Sequence, residues 1–181
     1  MIEISPTKIA LANSIKELME GKAVDNISIK EITDKCSLNR KSFYYHFKDK
    51  YDLVNWIFYT EFVKTVIDDK SENPKLLERV CFYLYENKTF YINAFEIKGQ
   101  NSFSDYFVEI IEPVISVYLQ ELFKEAENKE FFTVYFADAA RSSITRWLLE
   151  EEDVPPEKFI SLMKSGIKEF AYHIVENNKN R

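Results

Sequence analysis

The sequence predicts an all-α protein with an N-terminal unit of three short helices and a C-terminal helical bundle, about nine helices in total. Apolar residues, 46% of the 181, recur every three or four positions, as they do on the buried face of a helix. Only 3 Gly and 5 Pro are present, which is too few for an all-β fold with many tight turns. No segment shows the strict apolar and polar alternation that is typical of a half-buried strand.

The first helix is expected over residues 6–20. Pro6 suits the first helical turn, where an N–H would have no helical partner in any case. Gly21 follows the helix and is expected to end it with a positive φ. The second helix begins at Ser28, because this hydroxyl and the Glu31 carboxylate form the pattern of a capping box.

The third helix follows a turn of two residues, 37–38. Asn39 is a good N-cap for it, and it is expected to end near Phe47. Asp49 then caps the fourth helix. Further boundaries are expected as follows: helix four at 50–67, a polar linker at 68–74, and helices at 74–87, 89–98, 103–125, 130–151 and 156–176. Pro113 lies inside one of these helices and is expected to kink or break it.

The charge of the chain is unevenly distributed. The net charge is −6, which argues against a protein that coats nucleic acid without specificity. Residues 1–50 nevertheless carry nine basic and seven acidic side chains, whereas residues 51–181 carry 15 and 23. Residues 37–48 contain three cations and no acid. A basic patch on an acidic body is typical of a site-specific DNA-binding protein.

The third helix carries two different faces. Phe43 and Phe47 are four residues apart and are expected to be buried together. Two helices joined by a short turn and braced by a first helix have the order of a helix-turn-helix unit. Cations bind phosphates or guanine edges, and phenols donate hydrogen bonds to phosphates. The face opposite the phenylalanines carries two cations and two phenols, namely Arg40, Lys41, Tyr44 and Tyr45.

The pattern Tyr-x-His-Phe-x-x-Lys-x-x-Leu, from Tyr44 to Leu53, resembles the DNA-binding domain of the TetR/AcrR regulators, and the resemblance covers about residues 7–60. It implies a DNA-binding domain at 1–50 and an effector-binding and dimerisation domain at 51–181. The longer segment from Arg40 to Val54, with Trp56 close behind it, looks like the subgroup that includes dihydroxyacetone-kinase activators. That likeness implies that the effector could be a protein rather than a small molecule.

The resemblance also implies a set of DNA contacts. Phosphates would be bound by Ser28, Ser42, Tyr44 and Lys50, and base edges would be faced by Arg40, Lys41 and Tyr45. His46 would lie near the DNA backbone, and Asn39 is a further candidate DNA contact. His46 has an alternative role in packing the end of its helix. The sequence departs from the family where a glycine and a small residue are usual. Ser37 and Lys41 stand there, so an operator sequence cannot be transferred from a relative.

The C-terminal part is rich in aromatic residues and suggests an effector pocket. Rings with a few hydroxyls can line a ligand cavity between helices, although each ring can equally be ordinary core. The candidate pocket residues are Tyr83, Phe90, Tyr91, Phe95, Phe103, Tyr106, Phe107 and Tyr118.

The last two helices suggest a dimer interface. The final helix is apolar over so much of its circumference that burial on more than one side is expected. The candidate interface residues are Trp147, Phe159, Met163, Gly166, Ile167, Phe170 and Ile174. The alternative is a monomer that buries both faces internally.

The predicted function is a homodimeric, cytoplasmic regulator, with repression as its expected action, that binds a palindromic double-stranded DNA operator. A small-molecule or protein effector would modulate it. An enzyme is not expected, because the sequence contains neither a glycine-rich phosphate loop nor a nucleophile elbow, and no cofactor, metal or membrane partner is expected. The alternative is a helical adaptor that acts through protein partners, as in a coactivator of a metabolic operon.

Overall fold

The computed structural model describes residues 4–62, 76–98, 102–150 and 154–179, and over these residues the protein is helical without any β-strand. A 3₁₀ turn at Val24–Asn26 lies between the first two α-helices. No described helix is both long and apolar enough to cross a membrane. The helices of the described residues are α1 (Pro6–Met19), α2 (Ile29–Lys35), α3 (Arg40–His46), α4 (Lys50–Phe58), α5 (Leu76–Glu86), α6 (Lys88–Phe95), α7 (Phe103–Leu122), α8 (Lys129–Leu149) and α9 (Pro156–Lys179).

The starts of α2 and α4 are fixed by the side chains that the sequence predicted. Ser28 Oγ accepts a hydrogen bond from the Glu31 N–H at 3.2 Å, and Glu31 Oε2 accepts one from the Ser28 N–H at 2.8 Å. Asp49 Oδ1 accepts hydrogen bonds from the N–H groups of Tyr51 and Asp52, both at 2.8 Å. These bonds satisfy N–H groups that have no partner within the helix, and both predicted caps are confirmed.

The turn between α2 and α3 requires a left-handed residue. Ser37 has a φ of 56°. Its N–H donates to the Asp34 carbonyl at 3.2 Å, and the Leu38 N–H donates to the Thr33 carbonyl at 2.8 Å. These two bonds form a Schellman motif, which ends a helix through a residue with positive φ. A serine therefore occupies a position that favours glycine. The three helices α1 to α3 are called the head below.

Other predicted helix ends need correction. Gly21 follows α1, but its φ does not lie in the left-handed region. The last turn tightens instead, because the Gly21 N–H donates to the Leu18 carbonyl, three residues back, at 3.4 Å. Pro113 does not break α7, which continues to Leu122, since a proline removes only one backbone donor and the helix is buried on both sides of it at Ile111 and Leu119. Regular α4 ends at Phe58 and one π-helical turn, 59–62, follows. The predicted continuation to residue 67 and the linker at 68–74 lie outside the described residues.

The chain divides into two compact units. The first comprises Met1–Glu72 and Glu86–Tyr106, and the second comprises Asn73–Tyr85 and Phe107–Arg181. Helices α4 and α6 therefore belong to the same unit as the head. The predicted division into a DNA-binding domain at 1–50 and an effector-binding and dimerisation domain at 51–181 is a division by function, and it stays a prediction. The core of the second unit contains Leu119, Phe123, Ala126, Phe136, Ala137 and Ala171.

Replacing Ser37 by glycine should stabilise the protein. The left-handed region costs a residue with a β-carbon about 1–2 kcal/mol. Glycine avoids this cost but loses more backbone entropy on folding, so we expect the free energy of unfolding to rise by about 0.5–1 kcal/mol. Urea denaturation measures this difference. Ser37→Ala is the matched control, because it keeps the β-carbon and should not gain stability. Equal stability of the two variants would contradict the argument.

Candidate nucleic-acid interface

Helix α3 separates a buried face from an exposed one. Phe43 is fully buried and Phe47 is 3% exposed, and their ring centroids lie 5.9 Å apart. Tyr44 and Tyr45 are 58% and 84% exposed. Arg40 and Lys41 are also exposed, and none of these four outward side chains has a hydrogen bond or ion pair within the part of the chain that the structure describes. The two faces are those predicted from the spacing.

Three of the predicted DNA contacts serve the starts of helices. Asn39 Oδ1 accepts hydrogen bonds from Ser42 N at 2.9 Å and Ser42 Oγ at 3.2 Å. Ser28 Oγ donates to Glu31 Oε2 at 2.7 Å. The Ser28 hydroxyl already donates its proton to Glu31, and the Ser42 hydroxyl donates its own to Asn39. Either hydroxyl would have to give up that hydrogen bond in order to donate to a phosphate. Their role at DNA stays a prediction.

The capping box at the start of α2 is strengthened by charge. The Lys22 ammonium forms an ion pair with Glu31, whose carboxylate also accepts from Ser28. These bonds lower the pKa of Glu31 from 4.5 to about 2. The ionised Glu31 therefore stabilises the folded protein fully at a pH above 4.5, its ordinary pKa. This stabilisation is lost as the pH falls through the lowered pKa.

Lys50 and His46 have contacts within the protein. Lys50 Nζ donates to the carbonyls of Asp25 at 2.7 Å and Ile27 at 2.9 Å. An ammonium has three protons, so one remains for a phosphate. Burial lowers the pKa of Lys50, against the opposing charge of Asp25. The half-buried His46 ring lies 4.9 Å from the Tyr45 ring and 6.4 Å from that of Phe47, in agreement with the packing alternative.

Sequence reasoning missed a contact between the start of α4 and the segment before α2. Tyr51 Oη donates a hydrogen bond to Asp25 Oδ1 at 2.9 Å. The two residues are far apart in the chain, and neither belongs to a recognisable pairing pattern. No signal in a single sequence could have found this bond.

The predicted pocket residues are divided between the two units. Phe90, Tyr91, Phe95, Phe103 and Tyr106 lie in the first unit. The Phe58 ring of α4 is stacked on Phe62 at 4.7 Å and meets the Phe103 ring at 5.3 Å and the Tyr91 ring at 5.9 Å. The rings fill space against one another, which agrees with the core alternative for this group.

The other predicted pocket residues lie apart from that group. Tyr83 and Phe107 belong to the second unit, and the side chain of Tyr118 lies outside the described residues. The second unit carries an open groove of about 400 Å³ between α7 and α8, and none of the predicted residues that the structure describes lines it. The groove is lined by Ser116, Gln120, Lys124, Lys129, Glu130, Thr133 and Val134.

The predicted interface residues divide into buried and exposed ones. Trp147 is stacked on Phe159 at 4.4 Å and donates its indole N–H to the Val154 carbonyl at 2.7 Å, so this pair packs inside the second unit. Met163, Ile167 and Ile174 are half-buried, whereas Gly166 and Phe170 are exposed. An exposed apolar stripe at the start of α8 was missed, although its spacing is visible in the sequence: Phe131, Val134 and Tyr135.

The all-helical fold and the exposed face of α3 together define the class of the protein. It is an all-α DNA-binding transcription regulator with an N-terminal helix-turn-helix domain. The family model described as "Bacterial regulatory proteins, tetR family" matches residues 13–57, and the one described as "Transcriptional regulator C-terminal region" matches residues 60–169. The chain belongs to the TetR family. Regulators of this family are not enzymes, and the described residues contain no group of three or more side chains that could hold a metal ion.

Individual relatives agree with this assignment. The chain is 26% identical to the HTH-type dhaKLM operon transcriptional activator DhaS of Lactococcus lactis subsp. lactis (strain IL1403) over 145 residues, which is 78% of this chain and 72% of that protein. A solved structure of the dihydroxyacetone kinase operon activator DhaS is 27% identical, with a TM-score of 0.61 over 90% of this chain and 97% of that one. Both parts of the predicted resemblance are confirmed.

A more distant structure shares the fold alone. The TetR transcriptional regulator from Streptococcus agalactiae 2603V has a TM-score of 0.70 at 16% identity, over 89% of this chain and 93% of that one.

Proposed function

We propose that the protein is a homodimeric regulator that binds a palindromic operator, with α3 of each head in the major groove. The observation that carries this proposal is the exposed face of α3, where two cations and two phenols have no hydrogen bond or ion pair among the described residues. Such side chains bind phosphates and guanine edges. Two heads in one dimer would reach half-sites about 34–36 Å apart or somewhat more.

Dimerisation is proposed through the exposed side of α9. Leu162 and Phe170 are 62% and 55% exposed, and Gly166 lies between them at helical spacing. Apart from its two chain neighbours and the nearby backbone of its own helix, nothing in the described chain lies within 4 Å of a β-carbon placed on Gly166. Exposed leucine and phenylalanine side chains on both sides of a glycine favour close packing of a second helix. Trp147 and Phe159, two of the predicted interface residues, stack on each other at 4.4 Å, and their place in a dimer contact stays a prediction.

The direction of regulation has two candidates. Repression, the action expected from the sequence, requires only that the bound heads cover a promoter. Activation is favoured by the similarity to DhaS, which both the matched sequence and the matched structure describe as an operon activator. The promoter of a dihydroxyacetone kinase operon, where the genome contains one, is therefore a candidate target beside the DNA upstream of the protein's own gene.

Effector control is proposed to reach the head through α4 and α6. Asn93 of α6 donates a hydrogen bond to the Met19 carbonyl at 2.7 Å, and Lys16 of α1 forms an ion pair with Glu61 at 2.9 Å. A small molecule or protein partner that moved α6 or α4 would therefore move α1. The effector must bind one arrangement more tightly than the other, since equal binding shifts no population.

Operator binding is tested by fluorescence anisotropy with the two candidate DNA fragments and a scrambled fragment of equal length. Wild-type protein should prefer one candidate, and Arg40→Ala should lose about 1–3 kcal/mol on that fragment alone if the arginine contacts a guanine. Tyr44→Phe should weaken binding to all fragments alike. Absence of binding to either candidate fragment would favour the adaptor function, and equal loss for Arg40→Ala on scrambled DNA would make Arg40 a phosphate contact. In vitro transcription from the preferred fragment separates repression from activation.

Dimerisation is tested by light scattering of charge-inserting variants. Leu162→Glu and Phe170→Glu should convert dimer to monomer, because a buried unpaired carboxylate is costly. Tyr172→Glu is the matched control: Tyr172 is 57% exposed on the same helix but lies off the stripe. If Tyr172→Glu is the variant that dissociates, the proposed stripe is wrong.

The α6 route is tested with Asn93→Ala. Removing the amide should speed hydrogen exchange at the C-terminal end of α1 and change operator affinity, because the Met19 carbonyl loses its partner from α6. Thr89→Ala is the control, since Thr89 is an exposed neighbour on the same helix. Faster exchange with unchanged operator affinity would exclude this route.

A further inference from the structure

Three hydrogen bonds join the start of α4 to the segment that precedes α2. Lys50 Nζ donates to the carbonyls of Asp25 and Ile27, at 2.7 and 2.9 Å, and Tyr51 Oη donates to Asp25 Oδ1 at 2.9 Å. The Lys50 ammonium also lies 5.4 Å from the centre of the Tyr51 ring. Two successive residues of one helix thus hold one residue of the other segment by both its backbone and its side chain.

We propose that Asp25, Lys50 and Tyr51 form a clasp that sets the start of α2 relative to the start of α4, and that Asp25 and Tyr51 are thereby positioning residues for DNA binding. The proposal rests on the operator binding proposed above. Neither Asp25 nor Tyr51 needs to touch DNA. Both would act by holding other groups where the DNA backbone requires them.

The location of the clasp supports this role. The carbonyl acceptors of the clasp belong to Asp25 and Ile27. Val24 and Ile27 are only 2% and 1% exposed, so this segment is anchored in the core. Ser28, which caps α2, is the next residue after Ile27. Lys50 directly follows Asp49, which caps α4. Contacts to DNA phosphates fix the register of a protein on the duplex, so the separation of these two helix starts matters for binding.

The chemistry of Asp25 points the same way. A carboxylate beside a DNA-binding face repels phosphates and weakens binding. Asp25 is nevertheless exposed in the head, where it accepts the Tyr51 hydrogen bond. A tyrosine phenol is a neutral donor at ordinary pH, and burial and this carboxylate raise the pKa of Tyr51 further. The clasp thus gives Asp25 a supporting role in DNA binding, although its charge repels phosphates.

A direct DNA contact and a clasp predict different results for the same variants. If Tyr51 touched a phosphate, Tyr51→Phe would weaken binding, whereas Asp25→Ala would strengthen it by removing a repelling charge. If the two residues act through each other, both variants weaken operator binding. The double variant should then be no weaker than either single one, because the same hydrogen bond is lost in all three.

The experiment measures operator affinity by anisotropy over a series of salt concentrations, for Tyr51→Phe, Asp25→Ala, the double variant and the wild type. We expect each variant to bind about threefold to tenfold more weakly, as the loss of one hydrogen bond predicts, with an unchanged salt slope because no phosphate contact is removed. Glu20→Gln is the charge control: Glu20 is an exposed acid at the end of α1, and its removal should not weaken binding. Amide hydrogen exchange without DNA should be faster at residues 24–31 in all three variants.

The outcomes separate the clasp from the function on which it rests. Tighter binding by Asp25→Ala, or multiplied losses in the double variant, would overturn the positioning role. Unchanged hydrogen exchange at residues 24–31 would overturn the clasp itself, whatever the DNA result. A third outcome is that the wild type binds neither candidate operator, while hydrogen exchange at residues 24–31 is faster in the variants. The proposed operator binding and the positioning role would then both be wrong, but the clasp would remain as a structural element.

Discussion

The head depends on the burial of two phenylalanine rings on one side of α3. Phe43 is fully buried and Phe47 is nearly so, and burial of a ring of this size contributes about 1.5–3 kcal/mol. Phe47 also meets the Trp56 ring of α4 at 5.7 Å, and the Lys8 ammonium of α1 lies 5.7 Å from both rings. Since one ring contacts three helices, the rotation of α3 about its own axis is fixed. Its other face must then point outward.

That constraint explains why the outward side chains can serve DNA while the capping side chains serve the fold. Tyr44 and Tyr45 follow Phe43 directly along the helix, so their side chains leave it in other directions and are exposed once Phe43 is buried. Ser28 and Asn39 instead hold the first turns of α2 and α3. A serine at a helix start that lies near a phosphate can act as a cap or as a ligand, and the contacts of the free protein favour the cap.

The first unit also joins the head to the helices that follow it. The aromatic group around Phe58 packs on α6, and α6 in turn contacts the end of α1 through Asn93. A rigid group of stacked rings transmits displacement better than a polar loop, because close-packed interiors resist compression. The same rings that the sequence suggested as a pocket therefore serve the proposed effector route as packed core.

The sequence by itself determined the all-helical fold, the order of the first three helices, the N-caps Ser28, Asn39 and Asp49, and the two faces of α3. These features depend on residues within four positions of one another, so spacing alone reveals them. It could not decide which aromatic rings pack together, since Phe58 and Phe103 are brought into contact only by the tertiary fold. Nor could it show that Trp147 turns inward against Phe159, or that Tyr51 reaches Asp25. Those contacts join distant segments, and only the packing of the helices determines them.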